Sequence, residues 1–487
     1  MLFNSVEYAI FLPLVFIFYW FILEPKLPLQ NLFVLLASYL FYGWLQWKLL
    51  SLLFITTVVD YFVALALNRT TQNSRRKALI IVSITANLSL LGFFKYYNFF
   101  IENFITGLSW LGIKADFFTL SIILPAGISF YTFQTMSYTI DVYRRKLTPT
   151  KDFIAFAAFV SFFPQLVAGP IERAEHLLPQ FLKKRRFDQA KAVDGLKQML
   201  WGFFKKIVIA DNCGRVVDLI YANSHDYTGS ALLLAGIFFT IQVYCDFSAY
   251  SDIAIGSGRL FGFELMQNFA FPYFSRNIGE FWRRWHISLY SWFRDYVYIP
   301  LGGGQGSKGQ KIRNVFIIFL LSGFWHGASW NFILWGLLNA LYLLPSLLSS
   351  RHINYKDTVA PNSNTPSITE VFQMGRTFLL ILLSMMVFRA KNFHEAVYMV
   401  THSVSGLFNI GAYRQTIKII QETGYVFIAL VIGVFVVEWF GRRQRYALEK
   451  MPAALSPFAK YAFYYSIILI IILLGNFGEN KFIYFQF

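Results

Sequence analysis

Apolar runs of about twenty residues, separated by short polar breaks, repeat along almost the whole chain. A helix that crosses a bilayer needs roughly 20 such residues. The pattern predicts spanning helices at about 6–23, 29–46, 48–67, 78–95, 117–140, 153–170, 229–250, 370–388, 425–440 and 460–475. The stretch 315–348 is too long for one simple span: at 1.5 Å per residue it would run about 50 Å, against a hydrocarbon core of about 30 Å. It is expected to break into two helices, with Gly323, Gly327 and Ser329 marking the break. Segments 96–113 and 196–212 read as partial or interfacial helices. The total is roughly ten to twelve spans with several re-entrant pieces. The fold class is all-α, a polytopic integral membrane protein. One membrane domain, 1–487, is expected to divide into N-terminal helices (1–115), a central core (116–348), a polar loop (349–370) and C-terminal helices (371–487). The loop contains Pro361, Asn362, Ser363, Asn364 and Pro366 and reads as a flexible surface segment. Met1 to Glu7 lacks a basic region and no small-residue cleavage site follows, so the first apolar run reads as a retained helix.

Composition agrees with that reading. The chain is 56% hydrophobic, and only 14% of its residues are charged, against about 25% in an ordinary soluble domain. The net charge of +17 changes the picture only in orientation. Basic residues cluster in short loops: Arg69, Arg75, Arg76 and Lys77; Lys183 to Arg186; Arg442, Arg443 and Arg445. These are expected on the cytoplasmic side, which places the N-terminus outside. No nucleic-acid module accompanies the charge, so nucleic acid is not an expected partner. Cys213 and Cys245 have no metal-ligand spacing, and neither a disulfide scaffold nor a metal site is indicated. No internal repeat of the kind that marks many transporters is visible.

The centre differs from the rest. From about 242 to 340, ionisable residues interrupt apolar sequence repeatedly, and such groups are expensive at membrane depth. Asp246 and Asp252 end an apolar run; they either line a water-filled cavity or cap helices and pair with arginines such as Arg259 or Arg276. In Phe281-Trp-Arg-Arg-Trp-His286 and the residues to Phe293, Trp282, Trp285, Leu289, Trp292 and Phe293 recur at helical spacing. This predicts an amphipathic helix rich in arginine and tryptophan, including Arg283 and Arg284, suited to the bilayer interface. His286 within it is either an interfacial histidine or part of a site. The glycine-rich stretch Gly302 to Arg313 is not a Walker A motif, because Lys308 follows Ser307 and precedes Gly309. It reads as a cytoplasmic turn; Lys308 and Lys311 are weak candidates for contact with cofactor phosphates. In Ser322-Gly-Phe-Trp-His-Gly-Ala-Ser-Trp-Asn331, His326 lies deep in an apolar run, with Gly323 and Gly327 in G-x-x-x-G spacing. The glycines allow close packing. The imidazole can take a proton from a hydroxyl near neutral pH, or serve as a hydrogen-bonded structural group.

Several ordered motifs together carry a resemblance. They are Leu124-Pro-Ala-Gly-Ile-Ser-Phe-Tyr-Thr-Phe-Gln134, Phe162-Phe-Pro-Gln-Leu-Val-Ala-Gly-Pro-Ile171, Asp246-Phe-Ser-Ala-Tyr-Ser-Asp252, Phe281-Trp-Arg-Arg-Trp-His286, Phe324-Trp-His-Gly327, Phe388-Arg-Ala390, and the ending from Gly475 to Phe487. In these the chain resembles the membrane-bound O-acyltransferase family, in its bacterial branch of alginate O-acetylation and teichoic acid D-alanylation components. The ending looks more like the alginate type. The resemblance implies that His326 is catalytic, that His286 is the second important polar residue, and that a helical core surrounds a channel. It implies transfer of an acyl group, expected to be acetyl, from a cytosolic thioester such as acetyl-CoA, with no permanently bound cofactor. The acceptor is expected to be an extracytoplasmic polysaccharide, reached directly or through a periplasmic or surface transferase, with the chain in a bacterial cytoplasmic membrane. Trp325, Trp330 and Asn331 are channel candidates beside Asp246, Asp252, Arg283 and Arg284. Transfer of D-alanyl or another acyl group is the alternative, and a polysaccharide transporter or flippase is the alternative of another class.

Overall fold

The computed structural model describes the chain except residues 24–25, 115–116, 168, 350–356, 451–455, 479–481 and 484–487. Every regular element among the described residues is helical. The residues group into two compact units, 1–192 with 257–266, and 193–256 with 267–487.

The first unit begins with α1 (Val6–Ile17), whose Ser5 side chain accepts from Tyr8 N and so satisfies one of the free amides of the first turn. α2 (Leu27–Gln46) carries Pro28 in its opening turn, where a missing N–H costs nothing. Then come α3 (Leu50–Arg69), α4 (Asn73–Leu91) and α5 (Tyr97–Trp110). α4 and α5 run on as one 38-residue helix, Asn73–Trp110, so the segment 96–113 continues a span. Asp60 on α3 accepts from Ser83 Oγ (2.6 Å) and Asn87 Nδ2 (2.8 Å) on α4; the polar groups of this apolar pair satisfy one another. α6 (Ile128–Tyr143) starts later than the apolar run, because Gly127 turns the chain at φ 74°. A Cβ there would overlap the carbonyl oxygen of Leu166, so the first two motifs meet at a point only glycine fits. The run 153–170 is not one span. α7 (Phe153–Ser161) stops before Phe162, and α8 (Phe163–Leu166) restarts on Pro164. α9 (Ala174–Phe181) follows, and Ala168 of the second motif lies outside the described residues.

α10 (Gln189–Phe203) leads into the second unit and continues through a wide helical turn, Phe204–Ala210, into α11 (Asp211–Ala222). α12 (Gly229–Leu260) is 32 residues long. Two short helices, α13 (Ile278–Arg284) and α14 (Ile287–Phe293), precede α15 (Lys308–His326) and α16 (Trp330–Leu348). The overlong run does break, and it breaks at Gly327 to Ser329. Gly323 stays inside α15, where a Cβ would overlap the Phe332 carbonyl; a Cβ on Gly336 would overlap the Phe319 carbonyl. The glycines set the closeness of this hairpin. α17 (Ile368–Arg389), α18 (Phe393–Gly406), α19 (Tyr413–Thr423), α20 (Tyr425–Gly441) and α21 (Pro457–Leu474) complete the unit.

Among the described residues, six helices are long and apolar enough to cross a bilayer: Trp47–Arg69, Asn73–Trp110, Gly229–Leu260, Trp330–Leu348, Ile368–Arg389 and Pro457–Leu474. α19 and α20 form a seventh candidate bent by 86°. The larger number read from apolar runs includes segments that fold as short or broken helices. The chain is an all-α, multi-pass membrane protein.

Candidate active site

His326 ends α15. The next residue, Gly327, is extended, so the helix stops at the imidazole. The ring is buried and meets Trp335 (centroids 5.0 Å), Trp325 (5.0 Å) and Phe388 (5.3 Å), all near edge-on. His286 sits between α13 and α14 with φ 45°, a left-handed conformation that a non-glycine residue adopts at a cost. It too is buried, with its ring edge-on to Phe247 and Trp325. The residue that turns the chain is thus the residue that carries the imidazole. Both histidines line one cavity of about 50 Å³, together with Trp282, Trp285, Phe319 and Ser322 among others. Trp325 has its ring 6.0 Å from His286 and 5.0 Å from His326, centroid to centroid.

The expected interfacial helix is therefore two helices, and its apolar residues do not face lipid. Trp282, Trp285, Leu289, Trp292 and Phe293 are all buried. The aromatic face packs inside the unit because the chain bends at His286. Arg284 donates to Glu280 (2.9 Å) and to carbonyls of Ala270 and Asp357. Arg276 shares Glu280 and reaches Glu370. Arg283 is partly exposed and does not line the histidine cavity.

Asp246 and Asp252 pair, but not with Arg259 or Arg276. Asp252 meets Lys205 Nζ at 2.8 Å and accepts from Gln198 at 2.7 Å. Asp246 meets Lys206 Nζ at 2.6 Å and accepts from the backbone N–H of Ile483 at 2.8 Å. Lys205 lies 3.8 Å from Glu438 and donates to Ser248, and Lys206 also holds Asp211 (2.7 Å). Neighbouring lysines in the wide turn thus serve two separate carboxylate sets. The sequence reading passed over both, although two cations inside an apolar run are themselves a signal. Glu438, a lone acid in the run 425–440, is another.

The remaining candidates separate. Asn331 Nδ2 donates to the Ala390 carbonyl at 2.6 Å and ties α16 to the end of α17. Trp330 is 60% exposed and is not part of the histidine cavity's lining. Lys308 and Lys311 open α15, and 1.5 Å per residue puts Lys308 about 27 Å along the helix from His326. The loop 349–370 lies outside the described residues over 350–356; residues 361–365 are exposed, as expected of a surface segment, but the stretch is tied down. Val359 and Ala360 are buried, and the carbonyls of Val359, Ala360 and Ser363 take up Arg442 and Arg443. Of the closing motif, 479–481 and 484–487 lie outside the described residues; Phe482 packs on Tyr250 (4.4 Å) and Phe247 (5.5 Å).

Two buried imidazoles share one largely apolar cavity inside a helical chain made for lipid, which defines a membrane-embedded protein with titratable groups in its interior. Residues 34–389 match the model of the membrane-bound O-acyltransferase family. The chain belongs to that family and is an O-acyltransferase. It is 38% identical over 419 residues to the "Probable alginate O-acetylase AlgI" of Pseudomonas aeruginosa, covering 86% of this chain and 77% of the relative. It is 38% identical over 427 residues to the peptidoglycan O-acetyltransferase of Helicobacter pylori, covering 82% and 78%. The teichoic acid D-alanyltransferase of Bacillus subtilis is more distant: 27% over 282 residues, covering 55% and 69%.

Proposed function

We propose that the protein transfers an acetyl group from a cytosolic thioester, acetyl-CoA or a similar donor, to hydroxyls of a cell-envelope polysaccharide, with His326 as the general base. The observation that carries this reading is the burial of His326 beside His286 in one largely apolar cavity. Water kept out of such a space cannot compete with the acceptor hydroxyl for the acyl carbon. His326 takes the hydroxyl proton as the new C–O bond forms; the thioester C–S bond breaks, and the departing thiolate receives the proton from the imidazolium. The ring stands at the carbonyl end of α15, whose dipole favours the positive charge gained in that step. Two relatives at 38% identity bear names that specify O-acetylation of a glycan, which favours acetyl over D-alanyl. The lysine–carboxylate cluster is a structural partner in this reading, and the setting is the bacterial cytoplasmic membrane.

The test is radiolabelled acetyl transfer from acetyl-CoA to envelope polysaccharide by the purified protein in lipid, with and without a periplasmic transferase. Transfer that needs the second protein places this chain upstream in a relay; transfer without it makes the reaction direct. Label that moves equally well in His326→Ala overturns the reading.

A further inference from the structure

Asn268 is fully buried and belongs to none of the catalytic motifs, yet it meets the His286 turn at four points. Its carbonyl accepts from Ile287 N (2.9 Å). Its side-chain oxygen accepts from Ser288 N (3.3 Å) and from Ser288 Oγ (2.9 Å), and lies 3.1 Å from His286 Nδ1. Its side-chain nitrogen donates to Ser251 Oγ (3.1 Å).

The amide orientation follows from chemistry. A backbone N–H can only donate, so the amide atom facing Ser288 N must be the oxygen. That oxygen has no proton to give, so the bond to His286 requires a proton on Nδ1. A neutral imidazole protonated on Nδ1 has its lone pair on Nε2. The backbone bonds at Ile287 and Ser288 also hold the left-handed turn at His286, leaving the ring little room to choose another partner. Asn268 itself does not line the histidine cavity; it faces a second, smaller space of about 20 Å³, beside Lys205, Asp252 and Glu438.

We propose that Asn268 is a positioning residue that fixes His286 as the Nδ1–H tautomer, so that Nε2 presents a lone pair rather than a proton to whatever enters the histidine cavity. A proton-bearing substrate group, such as the acceptor hydroxyl or a thiol, is the chemistry that this edge receives. The catalytic part of this proposal rests on the acetyl-transfer reading; the tautomer does not.

The test uses the full chain in lipid with ¹⁵N-labelled histidine, and His286→Asn to identify the His286 signal. Wild type is expected to show His286 protonated on Nδ1 and bare on Nε2. Asn268→Leu, which cannot accept, is expected to lose that pattern and at least about tenfold in acetyl transfer, as wrong-tautomer enzymes do. Asn268→Asp, which keeps an acceptor, is expected to retain the pattern and most of the rate. A His286 proton on Nε2 in wild type, or an unchanged tautomer in Asn268→Leu, overturns the proposal. Equal loss of rate in the Leu and Asp variants overturns the positioning role and leaves a packing role. If the tautomer is as stated while His326→Ala transfers acetyl normally, the positioning stands and the acyl-transfer site is elsewhere.

Discussion

The histidine cavity and the lysine cluster lie in the same compact unit and treat buried polarity in opposite ways. Around Lys205 and Lys206, every cation sits on a carboxylate at 2.6 to 2.8 Å, and further hydrogen bonds from Gln198 and Ile483 N complete the acids. Around His326 and His286 the cavity lining is aromatic and aliphatic with one serine, Ser322, and Asn268 meets His286 from outside it. A buried charge without a partner is costly, whereas a neutral imidazole tolerates an apolar wall and still exchanges a proton. The cluster is built to stay as it is, and under the proposed reaction the cavity changes protonation. Substitutions should therefore divide: those in the cavity should cost mainly rate, and those in the cluster mainly stability.

His326→Ala carries the largest expected effect. Loss of a general base lowers transfer by about 10²- to 10⁴-fold, while thermal unfolding in lipid falls by only what the loss of one uncharged buried ring brings, since no charge is left unpaired. A large drop in unfolding temperature would make His326 a structural histidine. Lys206→Met is the mirror case. It leaves Asp246 and Asp211 buried without their cation, which costs about 3–5 kcal/mol of stability. Adding Asp246→Asn should recover part of that loss. If Lys206→Met unfolds like wild type but loses transfer, the cluster belongs to the chemistry and the contrast collapses.

The same contrast explains what could be read from the chain. His326 was visible because one imidazole in a long apolar run has few reasons to be there, and the 315–348 run was too long to stay whole. That it breaks followed from length; where it breaks followed from Gly327 and Ser329, whereas Gly323, read as part of the break, stays within α15. The pairing of Asp246 with Lys206 and of Asp252 with Lys205 was not legible: the partners are some forty residues apart, and pattern gives no register between two helices. The bend at His286 was missed for a different reason. Trp282, Trp285, Leu289 and Trp292 keep helical spacing across it, and nothing in that spacing reveals a residue at φ 45° held by Asn268. Segments 117–127 and 162–170 misled because apolarity specifies burial or lipid, not helix; Gly127 and Pro164 override it locally.

Gly323→Ala tests whether the hairpin that presents His326 tolerates loosening. The new Cβ overlaps the Phe332 carbonyl, a backbone atom that cannot swing away. The expected cost is about 1–3 kcal/mol, as for overpacking elsewhere, with a smaller loss of transfer than His326→Ala. Loss of transfer without loss of stability would mean the glycine guards the cavity rather than the packing.

The smallest expected effect, and the sharpest check on the cavity's edge, comes from two tryptophans five residues apart. Trp325 is buried with its ring near both imidazoles, and Trp330 is 60% exposed. Sequence assigns them equally to a channel. Geometry does not: Trp325 lies outside the cavity lining but packs its ring against both imidazoles, so shortening it to Leu lets them shift, and displacement of a reacting group by about 1 Å can cost about 10²-fold in rate. Trp330→Leu removes a ring that is mostly exposed and lies outside the cavity lining, and its rate should stay within about twofold of wild type. The ratio of the two rates, measured on proteins of matched unfolding temperature, reports whether the chemistry is confined to the space between α13, α14 and α15. Equal losses would show that the path of the substrate extends outward past α16, and that a ring exposed in the free protein becomes part of its wall when substrate is bound.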